Sequence, residues 1–274
     1  SISATTLNAA NTGSTVVVQQ NGYTGDNKAS LTTNGTITVP NVNVSGGSVT
    51  ALNVSATGNV IVENATLTVT GTLTAANLYV GRDATAESSS NTWADAGTAT
   101  IGTVNNTNIY VYGASSRVSA TDVRNAATVT VEAGSLDVDR TLDVTGTLYV
   151  GKSADAEVEN GYTWSASGTV TAGNVDAANI DVNGNDSEIT ADSRIDVTGN
   201  LTVVDGDIEA VELYVDGLLT LGGSAYVNVD SIVDAANIHY EPGFTGELTY
   251  GTYSSRDTNT ATQNTASMAV YGIG

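Results

Sequence analysis

Oxygen ligands are the groups in this chain with the most capacity for chemistry. The run Asp181-Val182-Asn183-Gly184-Asn185-Asp186 sets Asp181, Asn183, Asn185 and Asp186 around a glycine. Such spacing can turn carboxylate and amide oxygens onto one hard divalent cation, and calcium is the cation that takes such ligands. The sixth position, where a calcium loop carries glycine, holds Asp186, so the match is partial. Asp205-Gly206-Asp207 is a second, shorter candidate. Both runs read equally as polar turns between strands, and no residue pattern requires a cofactor. Trp93 and Trp164 each sit in a stretch rich in Gly, Ser and Ala. They could stack on a sugar ring, or anchor their loops over the core.

Catalysis has little to draw on. His239 is the one histidine, set between Ile238 and Tyr240, and the eight basic residues are scattered from Lys28 to Arg256. Without cysteine there is no thiol nucleophile, no disulfide and no cysteine metal site. No Gly-x-Ser-x-Gly elbow and no phosphate-binding glycine loop is present. Carboxylates are plentiful, but no pair stands out as acid and base. The chain is therefore not expected to be an enzyme, and a polysaccharide-degrading activity is the least favoured reading. A net charge of −21 excludes nucleic acid and anionic membranes as partners, since both need clustered Lys or Arg. No stretch is apolar enough to span a membrane, so no membrane insertion is expected. The start at Ser1 fits an exported chain whose signal peptide has been removed.

The elements that carry these residues are short strands. The apolar 40% is almost all Val, Ile, Leu and Ala, with one Phe, one Met and two Trp. Stiff β-branched side chains favour strands, and long helix formers are scarce. Segments such as Thr36-Ile37-Thr38-Val39, Leu67-Thr68-Val69 and Leu201-Thr202-Val203 alternate apolar and polar residues, one face in and one out. Strands this short must stack to be stable.

Internal repeats say how. Leu78-Tyr79-Val80-Gly81 recurs as Leu148-Tyr149-Val150-Gly151, and Asn108-Ile109 recurs as Asn179-Ile180. A turn of the form Val-Thr-Gly-x-Leu carries Gly71, Gly146 and Gly199, with a variant at Gly217; these lie 75, 53 and 18 residues apart. Near multiples of 18 predict coils of roughly 18 to 20 residues, about 12 or 13 in all. A second turn ends in Asn before an aliphatic residue, at Asn77, Asn108, Asn179 and Asn237. Asn tolerates the left-handed backbone and can turn the chain, and stacked Asn can form an amide ladder. Thr66, Thr68, Thr70, Thr72 and Thr74 alternate as in a flat ice-binding array. The sequence does not carry that pattern from coil to coil in a fixed register, and the β propensity of Thr accounts for it.

These features together predict an all-β parallel β-solenoid. The aliphatic strands, the Val-Thr-Gly-x-Leu and Ala-Ala-Asn-[Ile/Leu] turns and the lack of Cys resemble the β-helical passenger regions of autotransporters and filamentous-haemagglutinin-like bacterial surface adhesins. That resemblance implies a right-handed β-helix and an exported, rod-like protein at the cell surface. No C-terminal membrane barrel accompanies it. Residues 1–41 are expected to form an N-terminal cap or arm, 42–239 the solenoid, and 240–274 a C-terminal cap, linker and terminal strand. The expected function is an extracellular structural protein, a fibre subunit joined head to tail through solenoid ends or through the terminal strand carrying Met268, Val270, Tyr271 and Ile273. The alternative is a monomeric adhesin or carbohydrate-binding β-helix that meets glycans or host surfaces, with Trp93 and Trp164 as contacts. Self-association into a homopolymer and calcium between subunits follow from the first reading.

Overall fold

The structure, a computed structural model, describes residues 2–4, 6–8, 14–19, 29–81, 96–151 and 167–254. Every described element is a strand, and all the paired strands for which a register is resolved run parallel. The chain is a parallel β-solenoid of about ten turns. It divides into two compact units, residues 1–127 with 133–139, and residues 128–132 with 140–274.

Each coil has three faces. In the first unit, strands Ser30–Thr33, Thr36–Val39 and Asn41–Ser45 make one coil, and Ser48–Ala51, Asn53–Ala56 and Asn59–Glu63 make the next. Leu31 pairs with Val49, Ile37 with Val54 and Val42 with Val60, a step of 17 or 18 residues. In the second unit single strands run through all three faces, as in Asp207–Gly222 and Tyr226–Tyr240, which pair from Asp207↔Tyr226 to Leu221↔Tyr240 with a register shift at each of the two corners they turn.

Alternation decides which residues are inside. Leu67, Val69, Leu73, Ala75, Leu78 and Val80 of one coil are all buried, while Thr68, Thr70, Thr72, Thr74 and Tyr79 between them are not. An inward residue meets its counterparts one coil before and one coil after, as Leu78 meets Val60 and Ile109. The core is thus a set of aliphatic columns, with Val, Ile, Leu and Ala in close-packed register.

The corner between the third and first faces needs a residue with positive φ. Gly81 (φ 92°) and Gly113 (φ 89°) supply it in the first unit, and Gly151 (φ 90°) and Gly184 (φ 93°) in the second. Asn64, Ala133 and Asp205 fill the same corner without being glycine. Gly81 and Gly151 are the ends of the repeated Leu-Tyr-Val-Gly blocks, so the long sequence repeat marks this corner. A Cβ on Gly97 would stand 2.9 Å from the Gly81 nitrogen, and one on Gly168 2.8 Å from the Gly151 nitrogen. The chain that leaves at Gly81 therefore comes back beside it, and the next coil resumes on the same path.

Unequal steps between coils correct the coil count. Leu67 pairs with Ala99, a step of 32 residues, and Asn77 with Asn108, a step of 31. Dividing the length by a uniform coil overcounts, which is why about ten turns stand where 12 or 13 were expected. The coils also extend beyond residues 42–239. Ile2–Ala4, Leu7–Asn8 and Thr15–Gln19 already stack on the coil of residues 30–45, and Glu247–Ser254 pairs with Tyr226–Asp234. The Val-Thr-Gly-x-Leu motif serves two corners. Gly71 lies between first and second faces, where a Cβ would stand 2.7 Å from the Leu52 oxygen. Gly199, with 2.6 Å to the Ala178 oxygen, and Gly217 lie between second and third. Both corners press the backbone against the coil before, so the same local sequence fits either.

Candidate functional site

Three surface features could meet a ligand: an amide column, an aromatic stack and a hydroxyl array. The amide column starts the third face. Asn77 Nδ2 donates to Asn59 Oδ1 at 2.9 Å, and Asn108 Nδ2 donates to Asn77 Oδ1 at 3.1 Å. Asn179 and Asn237 hold the equivalent corner in the second unit, where Asn179 Oδ1 accepts from the Asn200 backbone N–H at 3.0 Å, and Asn237 pairs with Leu218. None of the four is left-handed; among the described residues the left-handed asparagines are Asn64, Asn106 and Asn125. Their work is therefore to satisfy polar groups between coils rather than to bend the chain.

Beside the column, Tyr79 and Tyr110 look outward on neighbouring coils with ring centroids 4.8 Å apart and planes 12° apart, and Tyr112 lies 6.4 Å from Tyr110. Buried hydroxyls that sequence reasoning missed hold the corners underneath. Thr107 Oγ1 accepts from the Ala75 N–H and donates to the Asn105 carbonyl, each at 2.9 Å. Ser187 Oγ donates to the Asn183 carbonyl at 2.7 Å. Ser and Thr read as surface residues in a sequence, and only the repeat Gly-x-x-Ser at Gly113–Ser116 and Gly184–Ser187 could have flagged Ser187 and its buried counterpart Ser116, while nothing flags Thr107.

The calcium candidate is arranged as a self-closed turn. Asn183 gives its amide N–H to Asp181 Oδ1, and the Ser187 N–H donates to the Gly184 carbonyl at 3.1 Å. Asn185 and Asp186 are exposed, Asp186 with φ 65°. Asp205 Oδ1 caps the Ser224 N–H at 2.8 Å. Among the described residues no group of three or more His, Asp or Glu is gathered as a metal would need. His239 is exposed, in register with Thr220. Trp93 and Trp164, and Met268, Val270, Tyr271 and Ile273, lie outside the described residues.

Charge is divided unequally. Between residues 29 and 111 the one charged residue described is Glu63, whereas residues 167–254 carry fifteen carboxylates and a single arginine, Arg194. Arg194 bridges Asp176 at 3.0 Å and Asp196 at 3.8 Å, carboxylates that stack on adjacent coils. Among the described residues no arginine reaches the first-face pair Glu188↔Asp207 in this way. Burial, with the charges of Glu188 and Asp186 added, raises the Asp207 carboxyl above its ordinary value. An acid whose folded value is raised loses stability as pH climbs from its unfolded value through its folded one. Asp207→Asn should therefore raise the melting temperature at pH 7 and leave it unchanged below the ordinary carboxylate range. Thermal melts across pH check this; an equal effect at both ends would remove the carboxyl as the cause.

No protein-family model, no curated protein and no solved structure matches this chain.

Proposed function

We propose that this is an exported, extracellular structural protein whose solenoid joins head to tail with further copies of itself. One observation carries the reading. The coil of Ile2–Ala4, Leu7–Asn8 and Thr15–Gln19 pairs only with the coil that follows, and Glu247–Ser254 only with the strand before it, among the described residues. A coil edge that no further strand covers presents a row of backbone N–H and C=O groups, and such an edge pairs with another chain. A first edge on one copy and a last edge on the next make a heterologous contact, which propagates rather than closes. The terminal segment carrying Met268 to Ile273 is the second route, as a strand added to the neighbour. Calcium supports either route by screening the carboxylates of residues 167–254.

Negative-stain electron microscopy of the purified chain, with and without calcium, is the test. Fibres are expected. Isolated particles at all concentrations would sink the polymer reading. Fibres that persist after deletion of residues 266–274 would assign the joint to the coil edges and eliminate the terminal strand.

The Tyr79–Tyr110 stack beside the Asn59–Asn77–Asn108 ladder favours a second reading, a carbohydrate-binding adhesin. Aromatic rings and amides are the groups that hold sugars. A glycan array on which Tyr110→Ala binds as the parent does would remove it.

A further inference from the structure

The first face of the first unit carries a feature that the pairing of coils reveals. Thr66 pairs with Ser48 and Thr98, and Thr68 with Thr50 and Thr100. Two columns of hydroxyls therefore run across successive coils in fixed register, and Ser30 and Thr32 extend them by one more coil. The reading that Thr66 to Thr74 form one array is corrected at the same time. Thr66 and Thr68 belong to this face, and Thr72 and Thr74 lie past the corner on the second.

The array is stiff and its bonding capacity is unused. Inward neighbours Val49, Leu67 and Ala99 in one column, and Ala51, Val69 and Ile101 in the next, are all buried and fix the backbone beneath it. The register is unbroken from Thr66 to Val69. Thr is confined at χ1, so its hydroxyl and methyl are held in place before any ligand arrives. Among the described residues none of these eight side chains makes a hydrogen bond to protein, unlike Thr36 on the next face, which accepts from Asn53.

We infer that this face binds ice. Hydroxyls repeat about 4.8 Å from coil to coil and about 6.7 Å along a strand. A rigid, two-dimensional lattice of donors and acceptors at such a repeat can be met by ordered water oxygens, with Thr methyls seated between them. No charged residue stands on these four coils of the face to hold a competing hydration shell. No aromatic ring stands there to favour a sugar or a protein partner. The β propensity of Thr does not explain the array. The same face of the second unit, built on the same backbone, has Glu188 paired with Asp207 and Thr190 with Glu209.

The test is ice growth in the presence of the full chain. A freezing gap and faceted crystals are expected, together with enrichment of the protein in a slowly grown ice phase. Thr68→Tyr, an outward change at the centre of the array, should lose most of the gap while circular dichroism and the melting temperature are retained. Thr190→Tyr, at the equivalent place in the second unit, should keep it. A parent chain with no freezing gap overturns the proposal, as does equal loss in both variants. Retention on crystalline cellulose or chitin without any effect on ice would overturn it in favour of a polysaccharide surface.

Discussion

Gly81→Ala and Gly151→Ala are each expected to destabilise the protein by about 3 to 4 kcal/mol, near the upper end for a single substitution. Two costs combine. At φ 92° and 90° an L side chain sits in the left-handed region, at about 1 to 3 kcal/mol. The new methyl also has nowhere to go. On Gly81 it would overlap Ser116 Oγ and the Tyr112 carbonyl; on Gly151, Ser187 Oγ and the Asn183 carbonyl. Those carbonyls belong to the coil that stacks on the corner, so relief means prying neighbouring coils apart. Gly243 separates the two costs. Its φ is 88°, but a Cβ there would meet nothing within 4 Å, so Gly243→Ala should lose only the conformational part, about 1 kcal/mol. Urea melts of the three variants check this. Equal losses at Gly81 and Gly243 would show that backbone conformation alone governs the corner.

The same corner shows what a sequence of this kind gives away. Alternation as in Leu67-Thr68-Val69 is enough to place residues inside or outside, because a strand has a period of two whatever it packs against. The Leu-Tyr-Val-Gly repeat exposes Gly81 and Gly151, where a Cβ would strike the Tyr112 or the Asn183 carbonyl; Asn64, Ala133 and Asp205 turn the same corner without leaving such a mark in the sequence. Register between coils is different. It depends on how many residues a coil spends between corners, and the step from Leu67 to Ala99 is nearly twice that from Val49 to Leu67. Hence the alignment of Thr66 with Thr98 is invisible until the pairing is known, although both residues are in plain view, whereas the repeated Asn turn already made Asn77 and Asn108 counterparts. Thr107 and Ser187 were missed for another reason: a buried hydroxyl has the same sequence appearance as a solvated one. The charge was legible but averaged away. A net −21 describes neither the stretch 29–111, with four acidic residues and one basic, nor the stretch 167–254, with fifteen acidic residues and one basic.

Leu78→Ala should cost about 3 kcal/mol, and its consequences should stay close to the coils it joins. Leu78 is fully buried and stands in a column with Val60 before it and Ile109 after it. Its side chain packs between two backbones held at the spacing of a β-ladder, so neither can close on the space left behind. Asn77, next to it, donates to Asn59 and accepts from Asn108, which pins the same three coils from outside. A void that cannot collapse retains the full cavity cost, and Leu78→Met, which conserves volume, should lose under about 1.5 kcal/mol. Because each coil contacts mainly its neighbours, stability is close to a sum of adjacent interfaces. Hydrogen exchange in Leu78→Ala should therefore quicken first at Val60–Val62 and Ile109–Val111, the strands that pair with Leu78–Val80. Uniform acceleration throughout residues 29–127 would mean that the first unit opens as one block, and that its coils are coupled more tightly than nearest-neighbour packing provides.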